Sequence, residues 1–379
     1  MKSISEDKSI EVGVVTDLGG AQSLEREWDD LLDGSDCKDV TYSFRWYANW
    51  LRSFAANGKV RIMTTRENGR LTSILPLIEG EYMLRRRRVK ALLSMTNLHS
   101  VRYDMISAED CERNLGRCLA KAFDESEADF MVLSLVPEES LIIRYLANAC
   151  RGVGCRFLVR NQHENRLVLT QPSFAQFFGS LSSKFRKNVN AAERKACARG
   201  ELRLVSLDDE NLLESYLDRG VTIEASGWKG EQGSAIIQAP HIRSFYEKIA
   251  RDFFRKGWLR LYLLENSGED ISFYFCVGNY GVVRAIKIGV RQEYAGIGPG
   301  MLITKKVLEE IHRCGTIATW DFCGGSARWK SDWSNASERY HSIYIFKNNI
   351  FGRMLYAGAR AYSRFKHVAF AGRRSCGTR

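Results

Sequence analysis

The stretch from Arg284 to Lys330 constrains this chain more than any other. An apolar run, Arg284-Ala-Ile-Lys-Ile-Gly-Val290, reads as a strand, and Gly296-Ile-Gly-Pro-Gly300 follows as a turn. A helix then opens at Met301, with Leu302, Ile303, Val307, Leu308 and Ile311 on its buried face and Lys305, Lys306, Glu309 and Glu310 outside. A strand that feeds a glycine turn and then a helix aims backbone N–H groups and the positive end of a helix dipole at one point, which suits an anion such as a pyrophosphate. Gly296, Gly298 and Gly300 allow close approach of a ligand to the backbone, and Pro299 fits the first helical turn. The spacing is Gly-x-Gly-Pro-Gly, not G-x-G-x-x-G, and it follows a late strand of a meander, which disfavours a dinucleotide-binding Rossmann site. A second strand follows at Thr319–Cys323, then Gly324-Gly325 and Trp329-Lys330-x-x-Trp333.

The elements along the chain alternate as in a mixed α/β protein. Glu11–Val15 reads as a strand and Ser23 as the cap of a helix to Leu32. An aromatic helix spans Tyr42–Leu51, with Trp46, Trp50 and Phe54 at core spacing. Strands at Val60–Thr65 and Leu71–Leu77 form a hairpin, with Pro76 at the end of the second. A helix at Cys111–Phe123, a strand at Phe130–Leu135, a helix at Glu138–Cys150 and a strand at Arg156–Val159 complete the first half. The second half opens with a strand at Arg166–Leu169 and a basic helix from Ser180 that Gly200 stops. A strand at Glu201–Ser206, helices at Asp209–Ser226 and Phe245–Lys256, and a meander of Trp258–Glu265, Ile271–Gly278 and Val282–Val290 follow, with a last strand at His341–Phe346. At 379 residues the chain is long for one core, and two domains are expected, at 1–165 and 166–350, with a tail at 351–379.

Charge is unevenly placed. The net charge is +11, yet nine of the 56 basic residues and none of the 45 acidic ones lie beyond Glu338, so the rest is nearly neutral. A second cluster is Arg85-Arg-Arg-Arg-Val-Lys90, and the basic helix adds Lys184, Arg186, Lys187, Arg194, Lys195 and Arg199. Such patches draw phosphates, RNA or anionic membrane surfaces, and equally describe solvated faces. The ten cysteines are scattered without a C-x-x-C pair, and the six His form no H-E-x-x-H, so reduced thiols and no metal are expected. The polar start shows no apolar signal-peptide run, and no stretch nears the roughly 18 uninterrupted apolar residues of a membrane span, so a cytoplasmic protein is expected.

The order strand, glycine turn, helix, strand resembles the cofactor-binding core of the GNAT acyltransferases. With Glu224-x-Ser226-x-Trp228-Lys229, the Pro-Gly-x-x-Leu form of the turn and Gly-Gly-x-x-x-Trp-Lys-x-x-Trp, it looks most similar to the CelD/BcsL-like branch linked to cellulose or exopolysaccharide synthesis, a relative of the Fem peptidyltransferases. The likeness spans roughly residues 40–346. It implies α/β mixed sheets in two tandem GNAT-like domains, the first degenerate. It implies acetyl-CoA or a longer acyl-CoA as co-substrate, and a glycan or small-molecule acceptor. Amides of Ile286, Ile288 and Val290 would hold the thioester oxygen, and Gly296, Gly298, Gly300 and Met301 the pyrophosphate.

Glu224 or Asp321 would be the base, since a Glu beside a Trp or an Asp in an apolar strand is unusual enough to be used. Lys330 would hold an anionic group, with Ser226, Trp228, Lys229, Trp329 and Trp333 lining the acceptor. Each has a plain alternative: Glu224 as a surface Glu at a helix end, Lys330 as a stem packed on tryptophan. The branch usually has Tyr where Trp329 stands, which removes a hydroxyl from that position. A Fem-like transferase using aminoacyl-tRNA, and a non-catalytic scaffold, are the rival readings; the basic clusters would serve RNA in the first. The long charged helical hairpin of some Fem transferases is missing from the second half.

Overall fold

The computed structural model describes residues 10–55, 58–84, 87–226, 236 and 239–361. In chain order the elements begin with β1 (Ile10–Val15), α1 (Leu18–Ser23), α2 (Glu25–Gly34), α3 (Phe44–Phe54), β2 (Lys59–Glu67), β3 (Arg70–Leu84), β4 (Arg87–Ser94) and β5 (Ile106–Ser107). Then come α4 (Cys111–Asp124), β6 (Phe130–Pro137), α5 (Leu141–Gly152), β7 (Arg156–Leu169), α6 (Phe174–Ser180), α7 (Ser183–Cys197), β8 (Leu202–Ser206) and α8 (Leu213–Ala225). The remainder is α9 (Pro240–Arg255), β9 (Leu259–Asn266), β10 (Glu269–Asn279), β11 (Val282–Val290), α10 (Pro299–Cys314), β12 (Thr319–Asp321), α11 (Arg328–Trp333), β13 (Ala336–Phe346) and a final helix, α12, described over 350–361.

The chain divides into two units of mixed α/β structure, one of residues 1–37, 57–162 and 340–379, the other of 38–56 and 163–339. The split in the middle of the chain falls at 162/163. The units nevertheless interleave: the aromatic helix groups with the second unit, and Tyr340–Phe346 of β13 with the first. Of the segment expected as a basic tail, 351–379, the part described, to residue 361, is helix α12.

In the first unit the strand order is β1-β2-β3-β4-β6-β13. Helices α4 and α5 cover one face, and Leu115, Leu119, Ile142 and Leu146 pack there on Met63, Leu75, Leu133 and Ile343. Ser140 caps α5 by accepting from the Ile143 N–H at 3.1 Å, which shifts its start past the expected Glu138. Ser23 is not a cap. Asp17 accepts from Gly20 N at 2.7 Å to open α1, and the Ser23 hydroxyl turns back to Gly20 O. Pro76 lies inside β3, not at its end. It stands between the stretch paired with β5, at Ser73 and Ile74, and the stretch paired with β4 from Leu77, where a missing N–H costs least.

In the second unit the order is β7-β12-β11-β10-β9-β8, antiparallel except between β11 and β12. Sharp turns at Ser267-Gly268 and Tyr280-Gly281, all at positive φ, close the expected meander. Helices α6, α7 and α10 bury Phe177, Phe185, Val189, Leu302, Val307 and Ile311 against Tyr274, Cys276, Val283 and Trp320 on one face. On the other, α3 meets α9 through Trp46 and Phe245, with ring centroids 5.4 Å apart, so the aromatic stripe is core. Gly220 of α8 is there because a Cβ would lie 2.3 Å from the Phe273 ring.

Candidate active site

The site begins where two parallel strands part. β11 pairs with β12 at three residues, Val282↔Thr319, Val283↔Trp320 and Arg284↔Asp321. β12 then ends, and the chain turns away through Cys323, Gly324 and Gly325, with φ of 50°, 52° and 71°. β11 runs on to Val290 while still paired with β10. A bulge marks the departure: Cys276 faces Ala285 and Phe275 faces Lys287, leaving Ile286 extra. β10 is buried from Ile271 to Gly278, whereas Ile286, Lys287, Ile288 and Val290 are half-buried. The segment expected to carry the acyl group therefore lies along a strand edge that β12 has left.

The glycine turn follows directly. A short 3₁₀ segment, Gln292–Ile297, ends at Gly298 with φ 68° and ψ 51°, and Pro299 is the first residue of α10. The left-handed conformation and a Met301 methyl 2.9 Å from a would-be Cβ reserve position 298 for glycine. Gly296 faces open space, while a Cβ on Gly300 would touch Val290 at 3.4 Å. The Met301 N–H donates to Gly298 O at 3.0 Å, so that donor is taken by the turn itself. Basic helix α7 packs beside this turn, its Ala192 methyl 3.7 Å from the would-be Cβ of Gly298. It exposes Lys184, Lys187, Arg194 and Lys195, while the Arg186 Nε donates to Leu181 O at 3.1 Å.

On the opposite face of β11 lies Glu224, near the end of α8 and 1% exposed, which excludes the surface reading. Its Oε2 accepts from the Ile236 N–H at 2.9 Å, and its Oε1 is 3.7 Å from Lys287 Nζ. Gly289 makes this possible: a Cβ there would sit 3.0 Å from Glu224 N and 3.1 Å from its Cα. Lys287 also lies 5.4 Å from the centroid of the Tyr246 ring. Burial, and then the nearby Glu224 carboxylate, push the Tyr246 phenol well above its ordinary pKa, so it stays protonated. Ser226 is exposed and its hydroxyl donates to Ile223 O at 2.8 Å. Trp228 and Lys229 lie outside the described residues.

Asp321 has no exposed surface and answers to Arg284, whose Nη1 binds its Oδ2. Its Oδ1 accepts from Cys323 N at 2.7 Å and from Asn165 Nδ2 at 3.4 Å. Arg284 also holds Asp39 through Nε, at 2.8 Å, and Nη2. A carboxylate so committed orients its surroundings, and the base expected there is corrected to an anchor. Lys330 donates to the carbonyls of Cys323, Gly324 and Gly325, the last two at 2.7 and 3.3 Å, so it organises the glycine loop. Trp333 is 1% exposed and meets Phe185 edge-on at 5.0 Å; the expected groove residue is core. Trp329, at 37% exposure and edge-on to Phe322, remains available to a ligand.

Lys287, Tyr246, Arg284 and Asp39 escaped the sequence reading. Lys287 and Arg284 did carry a signal, as charges inside an apolar strand. Asp39 and Tyr246 carried none, because their partners are distant in the chain.

Residues 183–331 match the family model described as an acetyltransferase (GNAT) domain. The second half of the chain therefore carries a GNAT-type acyltransferase domain. Among solved structures, FemX is similar at 10% identity over 92% of this chain and 99% of its own, with a TM-score of 0.57. The C-terminal domain of a protein assigned as lysylphosphatidylglycerol synthetase from Agrobacterium fabrum follows at 10% identity, 90% and 96% coverage and TM-score 0.54. A conserved protein of unknown function from Bacteroides thetaiotaomicron gives 11%, 89%, 100% and 0.54. These likenesses concern the fold. No curated protein matches this chain.

Proposed function

We propose that the second unit transfers an acyl group from acetyl-CoA or a longer acyl-CoA to an amine or hydroxyl, with a sugar-linked or cell-envelope acceptor as the first choice. The observation that supports this reading is the edge of β11 beyond Arg284, which leads into the Gly298 turn and α10. The amides of Ile286, Ile288 and Val290 would line the thioester and stabilise the developing oxyanion. The start of α10 and the cations of α7 would face the diphosphate.

Glu224, across β11, would take the proton as the acceptor attacks the carbonyl carbon. The new C–N or C–O bond forms, the C–S bond breaks, and the thiolate leaves with the bonding pair. Buried Glu224 accepts from the Ile236 amide through Oε2, which holds its carboxylate in place beside β11. Lys287 balances its charge within the same face.

An assay of CoA thiol release with a panel of amino sugars and hydroxylated glycans tests this. Acceptor-dependent release that Glu224→Gln slows by about 10²–10⁴ is expected. Release that is unchanged in the variant removes Glu224 from the chemistry. The rival donor, an aminoacyl-tRNA, would instead show binding that falls steeply with salt through the α7 cations.

A further inference from the structure

Helix α12 and the hairpin of β3 and β4 pack on one apolar cluster of the first unit, so that Arg353 and Arg360 share that unit with Arg87 and Arg88, far from them in the sequence. Leu355, Tyr356 and Ala359 of α12 pack on the cluster of Ala91, Phe130, Val132 and Phe346, as do Tyr82 and Val89 of the hairpin. Tyr356 meets Phe346 at 5.6 Å, and Arg160 donates to Ala359 O at 3.1 Å, so the helix is docked by one face. Its other face is apolar and in water: Ile350 is 82% exposed, Phe351 44% and Met354 65%. Nine large apolar side chains are exposed among the described residues, and three of them fall within this one turn. Residues 350, 351 and 354 share a helix face. Ala357, Gly358 and Ala361 continue it as small exposed residues. Exposed Arg353 and Arg360 lie on the same helix, and Met83, at 55% exposure, with Arg87 and Arg88 on the hairpin. The sequence beyond 361 adds Arg364, Lys366, Arg373, Arg374 and Arg379 and no acidic residue.

We propose that this face of the first unit binds an anionic bilayer surface. Ile350, Phe351 and Met354 enter the region between headgroups and acyl chains, and the arginines meet the lipid phosphates. Clustered apolar side chains flanked by cations are what such an interface rewards, with Arg353, Arg360 and Arg87 as the flanking charges, while Glu81 holds Arg88 at 3.2 Å on the hairpin. RNA would use the cations and gain nothing from the apolar turn. The proposal stands apart from the acyl-transfer reading, since it concerns the other unit and needs no acyl donor.

Co-sedimentation of the full chain with vesicles tests it, using phosphatidylcholine alone and phosphatidylcholine with about one-third phosphatidylglycerol. Binding to the anionic vesicles only, weakening with salt, is expected. The Ile350→Ser/Phe351→Ser/Met354→Ser variant should cut the bound fraction about ten-fold or more. Ile350→Glu alone should act in the same direction, and its high exposure spares the fold; melting curves check both. Absence of vesicle binding overturns the proposal. So does a triple variant that binds as well as the parent. Retention on polyuridylate without vesicle binding points to RNA, and a dimer that the triple variant abolishes points to a second copy; either result also overturns it.

Discussion

The guanidinium of Arg284 on β11 holds the carboxylate of Asp321 on β12 at the last residue pair the two strands share. Because Arg284 also takes Asp39, one cation is enclosed by two carboxylates, all nearly without exposed surface. The strands are thus tied at the point from which β11 continues alone. Arg284→Met would leave both carboxylates buried without their cation, a change that costs about 3–5 kcal/mol. Denaturant unfolding should show that loss, and Asp39→Asn added to the variant should recover part of it.

Gly289 sets the distance between β11 and α8. In Gly289→Ala the new methyl meets the backbone of Glu224 at 3.0–3.1 Å, so strand or helix must shift. Overpacking of this kind costs about 1–3 kcal/mol. Thermal melting should show the loss. Turnover should fall further than stability accounts for, because the displaced element carries the proposed base.

Asp104 in the first unit titrates out of line with an ordinary carboxylate. Burial raises its pKa from 3.8 to about 6, against the lowering pull of the Ile142, Leu141 and Met105 amides and of Cys37. Between those values the folded chain holds a proton that the unfolded chain has released. Its contribution to stability is therefore present at about pH 4 and lost as pH rises through 6, a swing of roughly 3 kcal/mol. Asp104→Asn should flatten that part of the stability profile, measured as the difference between variant and parent across pH 4–7.

Lys287→Met removes the cation 3.7 Å from buried Glu224, whose Oε2 accepts from the Ile236 N–H. Under the acyl-transfer reading, the pH profile of turnover should move while acyl-CoA affinity holds. Loss of affinity with an unmoved profile would assign Lys287 to donor binding instead.

Legibility from sequence followed the range of the forces involved. The strand, glycine turn and helix from Val282 to Cys314 were readable because periodicity and turn chemistry act over a few residues. The aromatic stripe of Trp46 and Trp50 was readable as core for the same reason. That its helix belongs with residues far along the chain was not, since Trp46–Phe245 packing leaves no local trace. Asp321 stood out as a charge in an apolar strand, but the partner that decides its role, Arg284, is a tertiary fact. Trp333 read as a groove residue because spacing alone does not separate an aromatic that faces a ligand from one that faces Phe185.

The most direct measurement is titration calorimetry of acetyl-CoA and longer acyl-CoAs, with Gly298→Val beside the parent. A β-branched residue at φ 68° disrupts the turn that opens α10, while melting curves report whether the rest of the unit survives. The account predicts saturable binding of an acyl-CoA that the folded variant loses. Absence of binding across the acyl-CoA series, or binding that Gly298→Val leaves intact, would contradict it.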